Sequence, residues 1–210
     1  MPDAVLLTPD ELLSTTRAVR RRLDLERPVE HEVLEGCLRL AQQAPSGSNA
    51  QKWDFVVVRS PEKRAAIGEL WREGGERYLA AAEANPQPSQ SDRLLDSVRH
   101  LVAHIHEVPV HVIPCVRGRT DGEAAPVQAG RWASIMPAAW SFMLAARSRG
   151  LGTAWTSFHL AREREAAEIL GIPYDDVMQA ALIPVAYTIG DTFKPALRKP
   201  LDTMVHWDHW

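Results

Sequence analysis

Four arginines crowd one short stretch, Arg17, Arg20, Arg21 and Arg22. On a helix, Arg17 and Arg21 stand one turn apart on the same face, where two planar guanidinium forks can converge on a phosphate. The alternative is a solvated basic helix end that complements the helix dipole. A second stretch, Ala44-Pro45-Ser46-Gly47-Ser48-Asn49-Ala50-Gln51-Lys52-Trp53, combines small residues that admit a close backbone approach with neutral hydrogen-bonding side chains. That mixture suits the edge of a heterocycle better than a phosphate. The third stretch is Gly150-Leu151-Gly152-Thr153. A dinucleotide fingerprint needs a strand before its glycines and a helix after them, and here the order is reversed. These glycines can end a helix and let the amides of Trp155, Thr156 and Ser157 approach a flat ligand, or they can serve packing alone.

Other chemistries find less support. His100 and His104 are four apart with Glu107 one turn further on, but the HExxH order is missing and no third ligand is evident, so no metal site is assigned. The same holds for His206 and His209. Ser46 lies in a helix-to-strand loop, the wrong context for a nucleophile elbow. Glu163, Glu165 and Glu168 read as a solvated helix face. With no acid/base pair in view, no side chain is assigned as catalytic and a cofactor is expected to carry the chemistry.

The elements that must position these residues follow from local pattern. Thr8-Pro9-Asp10-Glu11 is a capping box that starts a helix running toward Leu23, so the arginines fall at its end. Helical spacing of Val33, Leu34, Cys37, Leu38 and Ala41 predicts a helix ending before Pro45. Phe55 to Val58 and Val110 to Val116 read as strands, and Arg131 to Arg149 as a long apolar helix kinked or initiated near Pro137. Thr153 to Phe158 returns as a strand, and a helix from Arg162 ends at Gly171. A strand from Ala180 to Ile189 contains Pro184, which argues for an edge position or a bulge. The Pro-rich segment Asn85 to Asp92 lies between two helices, and the region from Trp71 to Arg99 could form a lid. Helices separated by single strands predict an α+β layer fold, a mostly antiparallel sheet flanked by helices, with all 210 residues in one domain.

Composition sets the outer bounds. Hydrophobic residues make up 45% of the chain, charged residues 24%, and the net charge is -3, which suits a globular protein and leaves the arginine cluster without the basic surroundings that nucleic acid needs. The start lacks the pattern of a signal peptide and no stretch is apolar enough to span a bilayer, so a cytoplasmic location is expected. Cys37 and Cys115 sit in apolar segments and read as reduced core residues. The C-terminal segment 190–210 carries two of the seven tryptophans, and a tail so aromatic is expected to dock, for instance on another subunit.

Taken in order, RAVRRRL, APSGSNAQKW, RGLGTAW and RKPLDTMVHWDHW resemble the nitroreductase family of FMN enzymes over nearly the whole chain. The resemblance implies a homodimer with FMN at the subunit interface and a C-terminal extension that wraps the partner. It also implies that Arg17 and Arg21 bind the FMN phosphate and ribityl chain. Ala18 and Val19 stand where such proteins commonly carry His or Arg and then Ser, and they join the cofactor site without those side chains. Pro45, Ser46 and Gly47 would meet the isoalloxazine ring from the other subunit, with Gly47 contributing backbone only. Asn49 would structure that loop or touch the flavin, the Trp155, Thr156 and Ser157 backbone would face the ring near N5, and Arg198 would complete the phosphate site. NADH or NADPH would reduce the flavin at N5 and a small flat acceptor, a nitroaromatic, quinone or enone, would reoxidise it in a ping-pong cycle. Trp71 and Tyr78 are the candidate substrate contacts. A reductive dehalogenase, a flavin-consuming cobalamin-pathway enzyme and a non-enzymatic FMN carrier or sensor are the alternatives.

Overall fold

The computed structural model describes residues 7–87 and 90–210. Helix α1, Pro9–Thr15, opens on the expected capping box: the Glu11 N–H donates to Thr8 Oγ1 (3.2 Å) and the Thr8 N–H donates to the Glu11 carboxylate (2.8 Å). It stops eight residues short of Leu23. The hydroxyls of Thr15 and Thr16 donate to the Glu11 and Leu12 carbonyls (2.6 Å each), and β-branched residues are poor at continuing a helix. The chain then leaves the helix and buries Val19 and Leu23 against the sheet. The arginines therefore lie on an extended strand and a turn, and helical spacing does not relate Arg17 to Arg21.

The remaining elements are α2 (His31–Ala41), β1 (Trp53–Val58), α3 (Pro61–Ala84), α4 (Asp92–His104), β2 (Val110–Arg117), α5 (Ala125–Arg147), β3 (Leu151–Thr153), α6 (Glu163–Leu170), β4 (Val177–Gln179) and β5 (Ile183–Tyr187). The strands form one antiparallel sheet in the order β1-β2-β5-β3, with β4 also paired to β2. β2 is buried along both faces up to Val116, which is why it reads as a continuous apolar run. Its alternate residues feed two cores. Val110 and Val112 pack with α2 and α5 through Leu34, Cys37, Phe142 and Met143. Ile113 and Cys115 pack on the opposite face with α3, α4 and α6 through Ile67, Trp71, Leu101 and Ala166. The sheet is thus held between two helical layers.

Three more predicted elements are redrawn. The return strand expected from Thr153 to Phe158 is β3, Leu151–Thr153, and ends where that strand was to begin. α5 begins six residues before Arg131, with Pro126 in its first turn, where a missing amide costs nothing; Pro137 lies inside the helix and starts nothing. The strand expected from Ala180 to Ile189 is shortened to β5, Ile183–Tyr187, with β4 as a separate short strand before it, and Pro184 sits in an interior strand. Thr156 and Leu182 exchange both backbone hydrogen bonds (3.1 and 2.8 Å), so even-numbered residues of this strand turn their amides toward β3. The β3–β5 register runs on to Thr156↔Leu182, which sets Pro184 opposite Ala154. Proline offers no amide there, and the ladder opens at Ala154–Trp155.

Candidate functional site

β3 is an edge strand, and the arginine segment docks along it. The Val19 N–H donates to the Thr153 carbonyl (2.8 Å), and Ala18 pairs with Thr153 in a parallel bridge. Two stretches more than 130 residues apart in sequence are brought to one sheet edge. Gly152 makes this possible: a Cβ on it would lie 2.8 Å from Thr188 Cγ2 and 3.0 Å from both Leu23 Cδ2 and Val19 Cβ. Ala18 is exposed and Val19 is buried, so Val19 can offer a ligand its backbone only.

The four arginines take different roles. Arg17 is exposed, with one Nη donating to the Lys194 carbonyl (2.8 Å). Arg21 is exposed beside α4, where its charge helps to depress the pKa of His100, after burial and the neighbouring His104. Arg20 and Arg22 are not free surface charges. Arg20 is largely desolvated and donates to Ser97 Oγ (3.4 Å), and burial lowers its pKa. Arg22 donates to the carbonyls of Ile189 (2.7 Å) and Thr192 (2.9 Å) and covers one side of the Phe193 ring at 4.2 Å. The buried Arg147 lies 4.5 Å from the same ring, and its Nη2 donates to the Asp191 carbonyl (3.2 Å). These arginines hold the start of the C-terminal segment. Sequence reasoning missed Arg147 and Phe193, whose only local signal is an arginine at the end of an apolar helix.

Beyond β3, Trp155 is half-buried, Thr156 buried and Ser157 exposed. Among the described residues the amides of Trp155 and Ser157 have no acceptor, whereas both backbone groups of Thr156 are taken by Leu182. Only Trp155 and Ser157 thus have N–H groups free for a ligand, which narrows the expectation for this turn. Trp71 is corrected outright as a substrate contact. Its ring is 1% exposed in the core and its indole N–H donates to Thr156 Oγ1 (2.7 Å). Tyr78 is half-buried, tilted against Phe158 at 5.4 Å, and its hydroxyl accepts from Gln90 Nε2 (3.1 Å). Of the proposed lid, Pro88 and Ser89 lie outside the described residues.

The 45–51 loop is elsewhere, on the flank of α5. The Gly47 N–H donates to Ser134 Oγ (3.2 Å), the Gln51 N–H to Ser46 Oγ (3.0 Å), and the Gln51 side-chain amide to Asn49 Oδ1 (3.2 Å). Asn49 therefore structures the loop. Pro45, Gly47 and Asn49 are exposed and Ser46 half-buried, and Ser48, Asn49 and Gln51 adopt positive φ (48–53°). Left-handed backbone at three non-glycine residues costs free energy and tends to persist where function demands a shape. Arg198 is exposed, its Nη1 turned to its own neighbour's carbonyl, at most about 14 Å of extended chain beyond the point where Lys194 meets Arg17. Leu197, Leu201, Met204, Trp207 and Trp210 are exposed along the same segment.

The buried polar groups hold a further surprise. Glu163 is no solvated residue: its carboxylate accepts from Arg119 Nη2 (2.8 Å) and from the Gln179 N–H (2.8 Å), with only 10% of the side chain exposed. Nearby, His111 and His159 are fully buried, and among the described residues His111 Nδ1, both His159 nitrogens and Gln179 Oε1 have no hydrogen-bond partner. Desolvation pushes His111 down to about 4, helped by Arg64 and His106, and His159 down to about 3, where the proximity of His111 further disfavours a second proton. Because the folded pKa values are depressed, the unfolded chain takes up these protons first as pH falls below 6.5. Stability should therefore decline from about pH 6.5 toward 4, starting above the carboxylate range. Urea unfolding between pH 7 and 5 should show this decline, and His159→Gln should flatten it; a wild-type profile flat above pH 5 would refute the assignment.

An antiparallel sheet between two helical layers defines an α+β layered fold. The particular family is shown by comparison: the model of the nitroreductase family matches residues 13–187, and the chain belongs to that family, which places it among the flavoprotein oxidoreductases. The 5,6-dimethylbenzimidazole synthase of Rhodospirillum rubrum is 31% identical over 154 residues, 70% of this chain and 68% of the relative. An oxidised iodotyrosine deiodinase, solved bound to FMN and 3-iodo-L-tyrosine, superposes with a TM-score of 0.71 at 20% identity over 96% of this chain and 99% of that one. An FMN- and NADPH-dependent nitroreductase from a Sphingopyxis strain superposes with a TM-score of 0.69 at 19% identity over 97% of this chain and 100% of that one. No helix among the described residues is long and apolar enough to cross a membrane.

Proposed function

We propose that the chain is an FMN-dependent oxidoreductase that works as a cytoplasmic homodimer, takes electrons from NAD(P)H and passes them to a small flat acceptor by a ping-pong mechanism. The observation that carries this reading is the docking of the arginine segment on β3, which brings the backbone between two exposed arginines to the strand that leads into a turn with two free amides. A phosphate with a flat ring attached fits that pairing: charge-assisted bonds take the phosphate, and amides at a break in the ladder meet the ring. Bound FMN would supply the two-electron chemistry by accepting hydride at one face and delivering it to the acceptor.

The chain's own residues bind, orient and exclude water. Arg17 and Arg21 would hold the phosphate, with Arg198 reaching it from the C-terminal segment and Ala18 and Val19 lining the approach. Trp155 and Ser157 would donate their amides toward the ring, where a preorganised donor stabilises the charge that reduction adds. In one chain the 45–49 loop stands apart on α5, so Pro45, Ser46, Gly47 and Asn49 would serve the site of the partner, and the exposed aromatic C-terminal segment would wrap that partner.

The test begins with the purified protein: a yellow flavin spectrum, bleached anaerobically by NADH or NADPH and restored by an acceptor. A colourless protein that FMN fails to reconstitute would defeat the reading. Because the relatives include a deiodinase and a synthase, the acceptors screened should include halotyrosines and dioxygen beside nitroaromatics, quinones and enones. Deleting Asn85–Ser91 should change the acceptor range and leave FMN bound; loss of FMN would show that the segment is no lid.

A further inference from the structure

We propose that the Trp71 indole and the Thr156 hydroxyl form a positioning pair, which sets where the Trp155 and Ser157 peptides stand against the cofactor. This rests on the flavin reading above. Trp71 acts through Thr156 and touches neither cofactor nor substrate.

The geometry is specific. The Trp71 N–H donates to Thr156 Oγ1 (2.7 Å), and the same hydroxyl donates to the Leu182 carbonyl (2.5 Å). With its proton and one lone pair both committed, the hydroxyl is held in one orientation, and all three partners are buried. The need for a second tether follows from the sheet. The ladder lacks the bond that Pro184 cannot donate, and among the described residues the backbone from Trp155 to Ser157 is held to the neighbouring strand by the Thr156–Leu182 pair alone. One pair fixes the position of Thr156 and leaves the peptides on either side free to pivot about it. The side-chain bond to α3 removes that freedom.

α3 is built to come close. A Cβ on Gly74 would stand 2.6 Å from the Phe158 carbonyl oxygen, and one on Gly75 2.6 Å from Val102 Cγ2. A larger residue at position 74 would drive the helix off the turn, and one at position 75 would drive it off α4. The Phe158 ring then lies against Trp71 at 5.0 Å and Tyr78 at 5.4 Å, so two helical turns of α3 seat the segment that carries the free amides. Packing alone would be served by any large apolar side chain at position 71. An indole adds a buried donor that must find an acceptor, and the acceptor it finds belongs to the turn.

Trp71→Phe removes the donor and keeps a ring, Thr156→Val removes the acceptor, and Thr156→Ser keeps it. In the flavin-free protein, amide exchange across residues 154–159 should be about tenfold faster in Trp71→Phe and Thr156→Val and near wild type in Thr156→Ser. The double variant Trp71→Phe/Thr156→Val should exceed neither single variant by much, because both break one bond. In the FMN-loaded protein the two single variants should bind reduced flavin about tenfold less tightly relative to oxidised flavin, a midpoint potential about 30 mV more negative for a two-electron couple. Exchange and potential unchanged in Trp71→Phe and Thr156→Val would overturn the proposal, as would equal effects of Thr156→Ser and Thr156→Val. Failure of the flavin reading shows separately, as absence of FMN binding by the unsubstituted protein, and the exchange comparison still reports on the pair. Should Trp71→Phe fold poorly, the Val and Ser variants at position 156 carry the same comparison.

Discussion

Replacing Arg17 and Arg21 together by alanine is expected to weaken FMN binding by about two to four orders of magnitude while leaving the fold almost as stable. A charge-assisted hydrogen bond contributes about 1.5–3 kcal/mol, and two guanidinium groups on one phosphate double that. The structural cost is small because both side chains are exposed. Arg21 has no hydrogen-bond partner among the described residues, and Arg17 makes a single contact, to Lys194 O. Titration of FMN fluorescence, with thermal unfolding measured on the same preparations, separates the two effects. Unchanged FMN affinity would place the phosphate elsewhere. Arg22→Ala is the informative contrast: its loss should loosen the start of the C-terminal segment, seen as faster proteolysis after Ile189, because Arg22 holds two carbonyls and the face of Phe193.

Gly152→Val should cost about 3 kcal/mol of stability and at least tenfold in FMN affinity. The first Cβ atom already falls 2.8–3.0 Å from Thr188, Leu23 and Val19, and these come from both sides of β3, so none can retreat without moving a neighbour. Overpacking of a filled interior typically costs about 1–3 kcal/mol, and a branched side chain belongs at the upper end. The displaced partner would be the arginine segment, since it is held to β3 through Val19 N–H to Thr153 O and through the bridge at Ala18. Denaturant unfolding gives the first figure and FMN titration the second. A variant as stable as the parent would show that the segment docks with slack. A variant that loses stability but keeps its FMN affinity would detach the arginine segment from the cofactor site.

Much of the secondary structure was legible because its causes are local. The capping box at Thr8, the spacing of Val33, Leu34, Cys37 and Ala41, and the left-handed Gly171 that ends α6 each act within a turn or two of chain. The apolar run from Val110 to Val116 announced a strand, and the fold buries it on both faces. The long helix was legible in its apolar centre but not at its start, because Pro126 begins a helix as readily as it ends a loop.

The candidate site was legible as a set of residue types and not as an arrangement. Periodicity from the cap suggested that α1 would carry the arginines on one face, but burial of Val19 and Leu23 against an edge 130 residues away overrode it. Trp71 read as a substrate contact because the acceptor that draws its indole into the core, Thr156, lies 85 positions along the chain. Pro184 pointed to an edge position or a bulge, and the sheet placed it in an interior strand, where its missing amide opens the ladder beside the turn. Sequence by itself determined the family, the helices with their caps, and the presence of cationic and small-residue segments, since these depend on neighbours a few residues apart. Which arginines stay free, which hold the C-terminal segment, and which amides of the turn lack a partner were decided only by tertiary packing. Each depends on a backbone or side-chain bond between strands and helices far apart in the chain.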